Sequence, residues 1–191
     1  MTRTSVTEEL ESAANRIANM PRVDLQIILR HAALMLLSAA LLVVAQPATA
    51  KPMVGVPSVV DGDTIEIHGQ RIRLNGIDAP ESAQLCLDAG RKNYRCGQKA
   101  SLALADFLKA HRPTSCIEVD RDQFRRMVAV CTAGGVDIGE WMVRQGYALD
   151  WPKYSAGFYV QAQDKARAAK RGMWAGSFER PWQWRKQMTV N

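Results

Sequence analysis

Three carboxylates and an arginine fall within nineteen residues of this chain, Asp63, Asp78 and Glu81 with Arg73, and a second arginine, Arg126, stands further along. The polar residues sit where extended runs end. Asp63 follows an Asp61-Gly62 turn signal, and Asp78-Ala79-Pro80-Glu81 closes a run in which Pro80 stops a strand and holds the residue before it extended. Side chains at strand ends can converge on one site. Three carboxylates beside an arginine make an unusual group among β-branched strands unless a cation or a phosphate joins them.

Positioning those side chains takes short strands, and the residue pattern predicts them. Val54 to Val60 is an apolar run, Thr64-Ile65-Glu66-Ile67 alternates, His68-Gly69 makes a turn, and Gln70 to Leu74 alternates again: a meander of three strands. From Gln98 the period becomes helical, with Ala100, Leu104, Phe107 and Leu108 recurring and Pro113 soon after the stop. Cys116 to Val119 and Met127 to Val130 predict two further strands. Asp137-Ile138-Gly139-Glu140 resembles a capping box that opens a helix burying Ile138, Trp141 and Met142, with Gly146 as its stop. Tyr159, Ala162, Ala166 and Ala169 mark one face of a last helix, ended by Gly172. Five strands, one helix between the third and fourth and two after the fifth describe an α+β chain built on a small, partly open OB-fold barrel. Barrels of this type commonly bind single-stranded nucleic acid across one face.

The chain has 191 residues and a formal net charge of +6. Residues 1–50 carry four basic and four acidic residues, so the whole excess falls on residues 51–191. A basic field attracts polyanions such as nucleic acid or anionic lipid, although many solvated surfaces are equally basic. The first fifty residues read as an export segment. A polar head ends at Arg30-His31, an uncharged apolar run goes from Ala32 to Ala45, and Ala48-Thr49-Ala50 has the small-x-small pattern of a signal-peptidase site. Cleavage after Ala50 gives a secreted or periplasmic domain of residues 51–191. The alternative is an uncleaved membrane anchor with the domain outside the cytoplasm. Translation from Met20 would leave a conventional short basic start.

All four cysteines, Cys86, Cys96, Cys116 and Cys131, lie beyond Ala50, and an even number suits an oxidising compartment. Three pairings are open. A hairpin around the charged segment from Asp120 to Arg126 would set Cys116 near Cys131, which leaves Cys86 with Cys96 around a short loop. A zinc site is a poor rival, because no Cys-x-x-Cys occurs and the three histidines are scattered.

Asp61-Gly62-Asp63-Thr64, then the run from Arg73 to Glu81, then the run from Asp122 to Ala129, then Val143-Arg144-Gln145-Gly146-Tyr147-Ala148 resemble the thermonuclease, or staphylococcal nuclease-like, family. The likeness covers about residues 54 to 174 in the family's order. It implies the OB-fold barrel, a calcium requirement, and hydrolysis of phosphodiester bonds in DNA and RNA that leaves a 3′-phosphate. It makes Asp63 and Asp78 calcium ligands, with the backbone carbonyl of Ala79 as a third. Such an oxygen set leaves room for waters and a phosphate oxygen. Glu81 takes the general-base position, and Arg73 and Arg126 hold phosphoryl oxygens, where a permanently charged fork of donors stabilises the transition state.

Arg125, Phe124 and Tyr154 are substrate-side positions in the same comparison. Phe124 stands where the family usually has a tyrosine that contacts a phosphate. Arg125 replaces the usual glycine, which either stiffens the loop or adds a phosphate contact. Ala79 replaces threonine, a harmless change if only the carbonyl is used. For Tyr154, stacking on a base and plain core or surface placement are equal options, and Trp151, Trp174, Trp182 and Trp184 read as packing or tail residues.

Taken singly, these residues have bland uses: Asp61 and Asp63 as turn formers, Arg73 and Arg126 as surface charges, Glu81 as a cap after Pro80. Five such coincidences in one order favour a working site. The leading expectation is a calcium-dependent nuclease of DNA and RNA with little sequence preference, monomeric and without a stable protein partner. The alternative is a non-catalytic nucleic-acid-binding module on the same barrel, which would bind oligonucleotide with steep salt dependence and leave it intact. A membrane-anchored structural protein is a third reading, and it needs the apolar segment retained.

Overall fold

A computed structural model describes residues 51–189 together with Glu11 and Asn15. The expected export segment, its cleavage site and the domain boundary at Ala50 lie outside the described residues. The α+β class holds among those that are described.

The meander forms as its alternation predicts. Strands β2 (Ser58–Asp61), β3 (Thr64–Ile67) and β4 (Gln70–Leu74) pair antiparallel in sequence order. Ile65, Ile67, Ile72 and Leu74 point into the core from alternate positions and are essentially unexposed. The apolar run that precedes them does not make one strand. Pro57 lacks an N–H for a ladder, and the run divides into β1 (Met53–Gly55) and β2. β1 pairs with β8 (Thr114–Arg121), which pairs in turn with β9 (Met127–Ala133). β9 then runs parallel to β4, so the order is β1-β8-β9-β4-β3-β2, with β10 (Val136–Asp137) as a short addition to β9. The parallel step places Arg73 opposite Val128, and the loop carrying Arg126 comes to the same end of the sheet.

Short pairings exceed the five expected strands. β5 (Ile77–Asp78) pairs with β11 (Leu149–Asp150), and β6 (Leu85–Leu87) pairs with β7 (Asn93–Arg95). Two or three residues are too few to show alternation in a sequence.

Helix α1 (Cys96–Ala110) buries Ala100, Leu104, Phe107 and Leu108 as expected, and begins two residues before Gln98. In α2 (Ile138–Arg144) the Asp137 side chain accepts from the Glu140 N–H at 2.8 Å, the expected N-terminal cap. Short α3 (Pro152–Ser155), absent from the three expected helices, precedes α4 (Val160–Ala168). Tyr159, Ala162 and Ala166 are buried while Ala169 is exposed, and Gly172, at φ +54°, opens a 3₁₀ turn three residues beyond the cap of α4. The chain then adds a helix that the sequence reading did not expect, α5 (Pro181–Met188), started by a proline at its first position.

Both expected disulfides are present. Cys116 and Cys131 are register partners across β8 and β9, and Cys86–Cys96 joins β6 to the start of α1. The main core lies between the sheet, α1 and α2. A smaller cluster around Cys86, Cys96, Leu149 and Met173, with Trp174, Phe178 and Trp182 against it, anchors the C-terminal segment.

Candidate active site

Asp63 closes the turn at Gly62 and immediately precedes β3, and its N–H donates to Asp61 Oδ1 at 3.0 Å. A carboxylate that accepts from the backbone two residues on stabilises such a turn. One β-ladder away, Arg73 on β4 forks between two acids: Nη1 donates to Asp63 Oδ1 at 2.7 Å and Nη2 to Asp78 Oδ1 at 2.8 Å. The Ala79 N–H donates to Asp63 Oδ2 at 3.0 Å, which locks the end of β5 against the start of β3. Asp63 and Asp78 are 3% and 0% exposed, so the three strand ends form one buried ionic knot.

Glu81 stands just outside that knot, with its side chain about one third exposed. Its loop is braced from two sides. The Glu81 N–H donates to Gln84 Oε1 at 3.4 Å, and Gln84, wholly buried, donates through Nε2 to the Glu179 carbonyl at 2.7 Å. On the other side, a side chain at Gly97 would collide with the backbone carbonyl of Glu81, so α1 lies directly under the loop.

Arg126 enters from the turn between β8 and β9. Its Nε donates to Asp122 Oδ2 at 2.6 Å, and its backbone N–H to Asp122 Oδ1 at 2.9 Å. Asp61, Asp63, Arg73, Ala79, Glu81, Phe124, Arg126 and Tyr154 all line one open cavity of about 610 Å³, and Asp78 lies beneath its wall. The structure thus brings together every residue expected to do chemistry. Phe124 is 70% exposed at the rim, with the Arg126 guanidinium 5.6 Å over its ring. Tyr154 is 51% exposed, which excludes the core placement, and its ring stands edge-on to Trp151 with centres 4.6 Å apart. Arg125 departs from the group. It is exposed, adopts φ +63°, and is not among the residues that line the cavity. The turn requires a left-handed residue at that position, which accounts for glycine elsewhere and strains an arginine.

Three residues at the cavity take up contacts that the sequence pattern does not predict. Trp151, read from sequence as packing, forms a wall with the guanidinium of Arg73 5.7 Å from its ring centre. Asp122 holds Arg126, and the spacing of four residues across a turn was the available signal. Arg185, from α5, donates to both oxygens of Asp78 at 2.9 and 2.8 Å and to Glu81 Oε1 at 2.8 Å. Nothing local in residues 181–188 announces that contact.

Negative charge is in excess. Three carboxylates, Asp63, Asp78 and Glu81, share two bound guanidiniums, those of Arg73 and Arg185, and a fourth, Asp61, lines the same cavity. Burial and the neighbouring Asp63 charge push the Asp78 carboxyl up to about 6, against the pull of Arg185 and Arg73. Burial, then the Asp63 charge, likewise pushes Asp61 up to about 6. Among the described residues no group of three or more His, Cys, Asp or Glu side chains gathers as a protein-only metal centre. Two buried carboxylates in a negative pocket nonetheless match the chemistry of a hard cation, which takes oxygen ligands and completes its shell with water or substrate.

Comparison with known proteins agrees with this geometry. Residues 71–176 match the family model described as staphylococcal nuclease homologue. The chain is 44% identical over 137 residues to the succinoglycan biosynthesis protein ExoI of Rhizobium meliloti, covering 71% of this chain and 72% of that one. It is 32% identical over 143 residues to an uncharacterized endonuclease of Haemophilus influenzae, covering 71% and 74%. With the micrococcal nuclease of Shigella flexneri the identity is 31% over 166 residues, covering 78% and 89%. The family match takes in Arg73, Asp78, Glu81 and Arg126, and the chain belongs to the staphylococcal nuclease homologue family.

Proposed function

We propose that this protein is a calcium-dependent nuclease of low sequence preference that hydrolyses phosphodiester bonds in DNA and RNA and leaves a 3′-phosphate. The observation that carries the reading is the convergence of Asp63, Arg73, Ala79, Glu81 and Arg126 on one cavity, with Asp78 bonded to Arg73 behind it. Family membership and relatives named as nucleases support it.

Calcium, held by Asp63, Asp78 and the carbonyl of Ala79, would supply Lewis-acid stabilisation of phosphate charge. The chain's own residues do the rest. Glu81 takes a proton from a water that attacks phosphorus, the bond to the 5′ oxygen breaks, and the departing oxygen takes a proton from solvent. Arg73, on β4, and Arg126, on the turn that leads into β9, both line the cavity and hold the phosphoryl oxygens as negative charge builds. Arg73 is already fixed by two acids, so it is preorganised for that role. Phe124 and Tyr154 present exposed rings at the rim, where bases can stack. Arg125 serves the turn rather than a phosphate.

The domain acts as a monomer, exported as residues 51–191 after removal of the leader. The test is digestion of single-stranded DNA by the full chain with calcium, with a chelator, and with Glu81→Gln. Loss of the base is expected to cost a factor of about 10² to 10⁴. Oligonucleotide that binds with steep salt dependence yet stays intact with calcium would replace this reading by the non-catalytic module.

A further inference from the structure

The C-terminal helix delivers a charge into the cavity that the hydrolysis reading does not use. Arg185 spans Asp78 and Glu81, bonding both oxygens of the first and one of the second. It lies beyond residues 71–176, the stretch that matches the family. We propose that Arg185 is a positioning residue that stands in the place of the divalent cation and lowers the site's affinity for it. This rests on the calcium reading above.

The placement is built by packing. Pro181 is buried at the start of α5, and Trp182 stacks on Trp151 with ring centres 5.8 Å apart and planes within 7°. The Arg185 guanidinium then lies 5.4 Å from the centre of the same Trp151 ring. Buried Gln84 ties the strap to the base, since it reaches the Glu179 carbonyl with one end and accepts from the Glu81 N–H with the other. A side chain fixed by a stacked indole and a buried amide is part of the site's construction.

The electrostatic consequence is direct. A guanidinium keeps its proton, so an ion arriving at Asp78 meets a fixed positive charge already bonded to both carboxylate oxygens. Like charges in a buried setting repel strongly. Binding the ion therefore means exchanging one cation for another, and Arg185 has a solvent-facing side through which to withdraw, its side chain being 31% exposed. Withdrawal also releases Glu81 Oε1, which couples ion entry to freeing of the base.

The experiment is calorimetric titration of Ca²⁺ into the full chain and into Arg185→Gln and Arg185→Lys, with thermal unfolding of each as a check on folding. Arg185→Gln is expected to bind Ca²⁺ at least tenfold more tightly than the natural protein. Arg185→Lys, which keeps the charge without the fork, is expected to fall between. A merely structural arginine would give the opposite sign, because loosening the loop weakens the site. Unchanged or weaker affinity in Arg185→Gln, or no measurable binding in any of the three, overturns the proposal. If Arg185→Gln does not fold, Arg185→Lys decides, with a gain of at least threefold required. Tighter Ca²⁺ binding without DNA cleavage by any of the proteins would retain the proposal and remove the hydrolysis reading instead.

Discussion

Asp122 holds Arg126 by two separate bonds, one to its side-chain Nε at 2.6 Å and one to its backbone N–H at 2.9 Å. The same carboxylate accepts from the Phe124 N–H, so a single side chain shapes the turn and aims the arginine it delivers. Burial works against the charge, but the hydrogen bonds from Arg126 prevail and hold the Asp122 carboxyl below the ordinary range. Asp122→Ala is expected to lower the kcat of DNA digestion roughly tenfold with a small change in thermal stability, because Arg126 keeps its charge and loses only its orientation. Steady-state kinetics on the variant check this, and a change confined to KM would contradict it.

Gly97 and Glu81 make a second such relationship, through backbone rather than charge. An added Cβ at Gly97 would collide with the Glu81 carbonyl, and backbone cannot rotate aside as a long side chain does. Gly97→Ala must therefore shift the Glu81 loop away from α1. Alanine is a better helix former than glycine, so intrinsic propensity alone favours the variant by up to about 1 kcal/mol. The expected result is loss of at least tenfold in digestion while the circular dichroism spectrum stays that of the folded protein. Full activity would place Glu81 outside the reaction or show that the loop yields freely.

The two disulfides differ in what they restrain. Cys116–Cys131 joins strands already hydrogen-bonded along their length, whereas Cys86–Cys96 closes the loop that follows Glu81. Each is expected to contribute about 2–4 kcal/mol by restricting the unfolded chain. Replacing both Cys86 and Cys96 by alanine should lower the melting temperature and also weaken digestion, since Glu81 and Gln84 lie just before Cys86, on the segment that the bridge holds against the start of α1. Replacing Cys116 and Cys131 should lower the melting temperature with less effect on the rate measured well below it. Equal loss of rate in the two double variants would refute the distinction.

Much of this arrangement was legible because it is local. The alternation of Thr64 to Leu74 placed Arg73 at a strand end, the helical spacing of Ala100, Leu104, Phe107 and Leu108 placed α1, and Asp137 three residues before Glu140 placed the cap of α2. The spaced carboxylates Asp63, Asp78 and Glu81 were visible as a group because their types are costly to bury apart from a cation. What escaped depends on partners distant in the chain. Arg185 meets Glu81 across 104 residues and Gln84 meets Glu179 across 95, and α5 carries no apolar stripe to announce a buried face. Strands of two residues escaped for a different reason, since a period of two needs more than one repeat to be seen.

The excess of carboxylates gives the metal-free protein a pH dependence of defined sign. Asp78 releases its proton near pH 3.8 when unfolded and at about 6 when folded, because burial and Asp63 oppose its charge. Between those values the folded chain binds a proton that the unfolded chain has lost, so stability is full below the lower value and falls as pH rises through the upper one. Measured in a chelator, the unfolding free energy should decline by about 2–3 kcal/mol from this group as pH goes from acid to neutral. Asp61, pushed the same way, adds to the trend. Asp78→Asn removes the titrating group and should flatten the decline, and saturating calcium should restore stability at neutral pH by binding the charged form. A metal-free protein whose stability rises steadily across that interval would mean that Arg73 and Arg185 outweigh burial at Asp78, and calcium would then have little uncompensated charge to meet.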